Sequence, residues 1–120
     1  VTPEQVLDAR SVVEIIHLED RLLEYIVDLV HATRDPAGAG LGDMGGLIQF
    51  GASPRAAIYL QKGARAQAFI SGRAFVMPED VKTVAPEILR HRILLSYEAE
   101  AEDVTTDEVV TQLLNYVPVP

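Results

Sequence analysis

The chain has 120 residues, 48% of them hydrophobic, and sets 18 acidic side chains against 10 basic ones for a net charge of −8. That length suits one domain with a real core. The absence of cysteine excludes disulfides and thiolate metal sites, and the acidic balance argues against a surface built on nucleic-acid phosphates. No run approaches the ~20 apolar residues that span a bilayer, and no basic start leads into an apolar stretch. The expectation is a cytoplasmic domain with neither membrane nor nucleic-acid partners. Val1 in first place is compatible with a piece of something longer.

Thr2-Pro3-Glu4-Gln5 reads as a helix start, with Thr2 as cap, Pro3 in the first position and Gln5 closing a capping box. Val6, Leu7, Val12, Val13, Ile15 and Ile16 supply its apolar surface, and the helix gives way near His17. A second helix is predicted from about Asp20 to Arg34, where Leu22, Leu23, Ile26, Val27, Leu29, Val30 and Thr33 recur at helical spacing. Asp35-Pro36 ends it. The stretch from Pro36 to Phe50 holds five glycines and no sustained period, so it reads as a connector.

Ser53-Pro54 opens a third helix with a capping residue ahead of proline, and it runs to a stop near Gly72. Its many alanines suggest close approach to neighbouring helices. Pro78-Glu79-Asp80 starts a fourth helix that passes Pro86 and continues through Leu89. From Arg92 to Glu102 the alternation of Ile93, Leu95 and Tyr97 with Leu94, Ser96 and Glu98 suggests a short extended segment. Thr105-Thr106-Asp107-Glu108 caps a short final helix, and Val117-Pro118-Val119-Pro120 forms an extended tail. The fold class is all-α or nearly so: one domain over residues 1–120, a small bundle of about five helices.

The glycine-rich stretch is not a Walker A loop, which needs a following Lys and Ser/Thr for phosphate and magnesium; here Gly45-Gly46 leads into Leu47-Ile48. His17, His31 and His91 lie far apart and have no partner at metal-ligand spacing. The acidic stretch from Glu98 to Glu108 lacks a calcium-loop pattern and reads as a solvated face. Gly51-Ala52-Ser53-Pro54-Arg55 differs in kind. It puts an arginine in the first turn of a helix, where the dipole and free N–H groups favour anions, and the planar guanidinium suits phosphate oxygens. A plain ion pair between Arg55 and a carboxylate explains the same residue equally well.

The run Gly51-Ala52-Ser53-Pro54-Arg55-Ala56 resembles the sensor 2 motif of MoxR family AAA+ ATPases. Tyr25-Ile26-Val27-Asp28-Leu29-Val30 with Ala32-Thr33-Arg34 resembles the helix that precedes it. Gly72-Arg73, Val76, Pro78-Glu79-Asp80-Val81, Leu89-Arg90-His91-Arg92 and the closing Val117-Pro118-Val119-Pro120 resemble the segments that follow. One departure is Met77, where the family often has a capping Ser or Thr.

The resemblance implies the C-terminal helical lid of a ring-forming, chaperone-like motor. Arg55 would be its catalytic sensor arginine, reaching the β/γ-phosphate region of bound ATP, with Mg2+ also bound in the parent protein. Ser53 and Pro54 would shape the approach, and Tyr25 and Ile26 would wall the adenine. The implied partners are the AAA+ core of the same chain, neighbouring subunits, and von Willebrand A-type proteins. Because no Walker A or Walker B element is present, the isolated chain is not expected to hydrolyse ATP. The alternative reading is a stand-alone helical interaction module without nucleotide binding.

Overall fold

The computed structural model describes residues 1–120, the side chain of Asp43 excepted. It is a helical domain with a short two-stranded ribbon. Helix α1 spans Pro3–Glu14 and α2 Asp20–Arg34; strand β1 is Ile48–Phe50; α3 spans Arg55–Ile70 and α4 Pro78–Leu89; strand β2 is Leu94–Leu95; α5 is Tyr97–Ala101 and α6 Thr106–Tyr116.

The first cap forms as the residues dictate. The Thr2 N–H donates to Gln5 Oε1 at 2.8 Å and the Gln5 N–H to Thr2 Oγ1 at 3.2 Å. The apolar surface of α1 behaves differently from its pattern, because no residue of the helix is buried. Val6, Leu7, Val12 and Ile15 are exposed, and only Ile16, beyond the helix end, enters the core. The reason is geometric: α1 lies against α3 beside an open groove of about 710 Å³, lined by Val6, Ala9, Val13, Ala66, Phe69 and Ile70 among others, and only Ala9 and Val13 become half-buried. The chain between α1 and α2 is pinned instead by its backbone. Arg65 Nε donates to the Ile16 carbonyl at 3.1 Å, and the His17 N–H donates to the Ala74 carbonyl at 3.0 Å.

Helix α2 buries Leu22, Tyr25, Ile26, Leu29, Val30, Ala32 and Thr33. The connector after it is not wholly irregular. It contains a 3₁₀ turn over Gly42–Met44, buries Leu41 and Met44, and ends in β1. Strand β1 pairs antiparallel with β2, Ile48 opposite Leu95 and Phe50 opposite Leu94, with a bulge between.

The extended segment expected over 92–102 is therefore confined to Leu94–Leu95, and the following residues form α5, which raises the helix total above the expected five. Ser96 explains the switch. Its N–H and Oγ donate to the Leu47 and Gly46 carbonyls at 2.8 and 2.6 Å, closing the ribbon. The same Oγ accepts the Ala99 N–H at 3.2 Å and so starts the Ala- and Glu-rich α5.

Helix α3 is the central element. Ala56, Leu60, Ala64 and Ala68 recur every fourth residue and are wholly buried, so the alanines do let neighbours approach. At Gly63 an added Cβ would lie 2.9 Å from Ile88 Cδ1, so the missing side chain lets α4 come close at that point. Helix α6 closes the core with Val109, Val110 and Leu113, capped by Thr105, whose Oγ1 accepts the Glu108 N–H. Among the described residues no helix is long and apolar enough to cross a membrane.

Candidate functional site

The C-terminal end of α2 and the first turn of α3 meet over Gly51 and Ala52. Thr33 is the polar residue of α2's apolar stripe, and it is 1% exposed. Its hydroxyl donates to the Val30 carbonyl at 2.6 Å and accepts the Ala52 N–H at 2.9 Å. Both its hydrogen-bonding roles are thus filled, as a buried hydroxyl requires. Arg34 Nη1 adds a longer bond to the Ala52 carbonyl at 3.3 Å. Gly51 lies so close to the α2 backbone that a Cβ would sit 2.3 Å from the Thr33 carbonyl oxygen. Only glycine fits there.

From this clamp the chain turns out to solvent. Ser53, Pro54 and Arg55 are all exposed and adjacent. The cap differs from the expected one: Pro54 is the N-cap residue and no side chain caps the helix. Instead the Ala56 and Ala57 N–H groups turn back onto the Ser53 and Pro54 carbonyls at 2.9 and 3.1 Å. Some first-turn donors are therefore occupied, which leaves the positive end of the helix dipole and Arg55 itself as the attraction for an anion. Among the described residues the Arg55 side chain takes part in no salt bridge and no hydrogen bond. Among the described residues the plain ion pair is not made.

Tyr25 and Ile26 are placed elsewhere. Both are buried in the core, and Tyr25 lies eight residues before Thr33, about 12 Å along the helix axis. Tyr25 lines a hollow with Arg21, Glu24, Asp28 and the tail residues Pro118 to Pro120. Its hydroxyl is buried without a hydrogen-bond partner among the described residues, and burial raises its pKa. The structure brings Ser53, Pro54 and Arg55 together and leaves Tyr25 and Ile26 apart from them.

A second polar assembly supports the domain from the other end of α3. Arg73 grips Asp80 through Nη1 and Nη2, both at 2.6 Å, and Asp80 is 2% exposed. Burial alone would raise the Asp80 pKa, but the Arg73 guanidinium and the Met77 N–H hold it below its ordinary value. The bond from the Met77 N–H to Asp80 Oδ2, at 2.7 Å, also supplies the half of a capping box that needs no Ser or Thr. This explains how α4 starts well on Met77. Among the described residues no cluster of His, Asp or Glu could hold a metal ion.

A family model described as the AAA lid domain matches residues 45–113, more than half of the chain. Chaperone MoxR1 of Mycobacterium tuberculosis is 36% identical over 129 aligned positions that take in the whole of this chain. Protein MoxR of Paracoccus denitrificans is 38% identical over 110 positions, covering 87% of the chain. A crystal structure of a candidate ATPase from Cytophaga hutchinsonii superposes with a TM-score of 0.94 at 44% identity, covering 98% of this chain and 36% of that one. The chain belongs to the AAA lid domain family, as a lid of the MoxR-type AAA+ proteins. It spans 34% and 32% of the lengths of these two curated relatives.

Sequence reasoning singled out the run from Gly51 to Arg55 but gave Thr33 and Arg34 no role in the site. The available signal was a hydroxyl on an otherwise apolar stripe.

Proposed function

We propose that this chain is the nucleotide-sensing lid of an AAA+ ATPase and that Arg55 is its sensor 2 arginine. The observation that carries the reading is the position of Arg55: exposed in the first turn of α3, on a start fixed to α2, with its side chain unpaired among the described residues. Arg55 would bind the terminal phosphates of ATP held by the AAA+ core of the parent protein or of a neighbouring subunit, orienting them and stabilising their charge. Bound ATP with Mg2+ supplies the scissile phosphoanhydride and the charge that the guanidinium answers.

Ser53, whose hydroxyl is exposed, and Pro54, which sets the backbone into the first turn, hold the approach to Arg55. Tyr25 and Ile26 act as packing beneath the lid surface; direct contact between Tyr25 and an adenine requires the 118–120 tail to stand aside. The chaperone designation of the Mycobacterium tuberculosis relative supports a role in remodelling client complexes. The resemblance alone makes von Willebrand A-type proteins the partner class to test.

Arg55→Ala in the full-length protein tests the reading by steady-state ATP turnover. Turnover should fall about ten-fold or more, short of the ~10³–10⁵ of a full arginine finger. Lid stability should change by less than about 0.5 kcal/mol, as for other exposed positions. Unchanged turnover would remove Arg55 from the role.

A further inference from the structure

The geometry points to Thr33 as the positioning residue for Arg55, acting through the Ala52 N–H. The inference rests on the reading of Arg55 as the nucleotide sensor and adds to it the residue that aims it. Three observations converge on the same two peptide units. The buried Thr33 hydroxyl accepts the Ala52 N–H at 2.9 Å while donating to the Val30 carbonyl at 2.6 Å. Arg34 Nη1 reaches the Ala52 carbonyl at 3.3 Å. The Gly51 Cα faces the Thr33 carbonyl so closely that no side chain fits between them.

Ala52 is itself wholly buried, so its N–H has no water to turn to if Thr33 Oγ1 is lost. The peptide would then shift to rehydrate that N–H, and Arg55, three residues on, would shift with it. A bond made 19 residues across the chain is therefore the reference point from which the sensor helix starts. Because α2 is anchored in the core along its length, the clamp also ties the direction of Arg55 to a rigid element rather than to the connector.

Thr33→Val keeps the volume of the side chain and deletes both hydrogen-bonding roles. In the full-length protein its kcat for ATP should fall about ten-fold, since misplacing a group by ~1 Å can cost ~10²-fold. Thr33→Ser, which restores the hydroxyl, should return kcat to within about two-fold of the parent. The decisive comparison is the same Thr33→Val change made in an Arg55→Ala background. There it should alter kcat by less than about two-fold, because the group being aimed is gone. An equal loss in both backgrounds would mean that Thr33 acts on general stability, and would overturn the inference.

If Arg55→Ala lowers kcat and Thr33→Val does not, the clamp fails and the sensor reading stands. If Arg55→Ala leaves kcat unchanged, the sensor reading fails first and takes the inference with it. Should Thr33→Val not fold, the exposed Arg34→Met probes the same peptide. It should lower kcat about three-fold in the parent and not at all with Arg55→Ala; no fall in the parent overturns the inference.

Discussion

Helix α1 and the α2–α3 junction show two outcomes of similar-looking sequence. Both carry apolar residues at helical spacing and both sit at well-marked helix starts, one at Thr2-Pro3 and one at Ser53-Pro54. Yet α1 buries none of its residues, and Ile15 at its end is 80% exposed. At the junction a single hydroxyl, a glycine and an arginine fix two peptide units against α2 with almost no apolar area of their own. Amphipathic spacing shows that a face exists; whether the face is covered depends on what the rest of the fold brings to it. Position, in turn, can be set by one buried hydrogen bond with little contribution from area.

The largest expected contrast is between the core that carries the junction and the surface of α1. Leu60, wholly buried on α3, should cost about 2–5 kcal/mol as Leu60→Ala in urea denaturation. A much smaller loss would mean that α3 is not the centre of the domain.

Asp80 sharpens the comparison from the far side of α3. Its folded pKa lies below the unfolded value, so its contribution to stability is full above the ordinary carboxylate pKa of about 3.9 and disappears as pH falls through the depressed folded value. Stability measured from pH 5 downward, a window of about the expected width, should therefore drop less steeply in Asp80→Asn than in the parent. An unchanged slope would remove the Arg73–Asp80 pair as a cause of acid unfolding.

On α1 the effects should be small. Thr2→Ala removes the Oγ1 acceptor of the capping box and should cost about 1 kcal/mol of local helix stability, read as faster amide exchange over the first turn. Val6→Ser, at an exposed position, should stay within about 0.5 kcal/mol. A loss above that would show that α1 packs more tightly than its groove implies.

Much of this architecture could be read from local residues. Thr2-Pro3, Thr105 and Pro78 mark starts, Asp35-Pro36 marks an end, and the spacing in α2 identifies a buried face. What escaped was non-local. The pairing of Ile48–Phe50 with Leu94–Leu95 joins strands more than 40 residues apart, and neither strand has the length to announce itself. Ser96 turned an apparent extended run into a strand end followed by α5 because its hydroxyl serves both elements. Met77 looked like a lost cap because the compensating acceptor is the side chain of Asp80. For the site, the motif residues Ser53, Pro54 and Arg55 were visible as a run, whereas Thr33 was visible as a member of the α2 stripe with nothing local to tie it to Ala52.

Amide hydrogen exchange of the full-length protein, with and without a non-hydrolysable ATP analogue and Mg2+, tests the central claim most directly. Peptides covering residues 51–58 should become protected when the nucleotide binds, and that protection should be lost in Arg55→Ala while binding itself persists. Binding that leaves residues 51–58 exchanging at their free rate would contradict the assignment of this surface to the nucleotide.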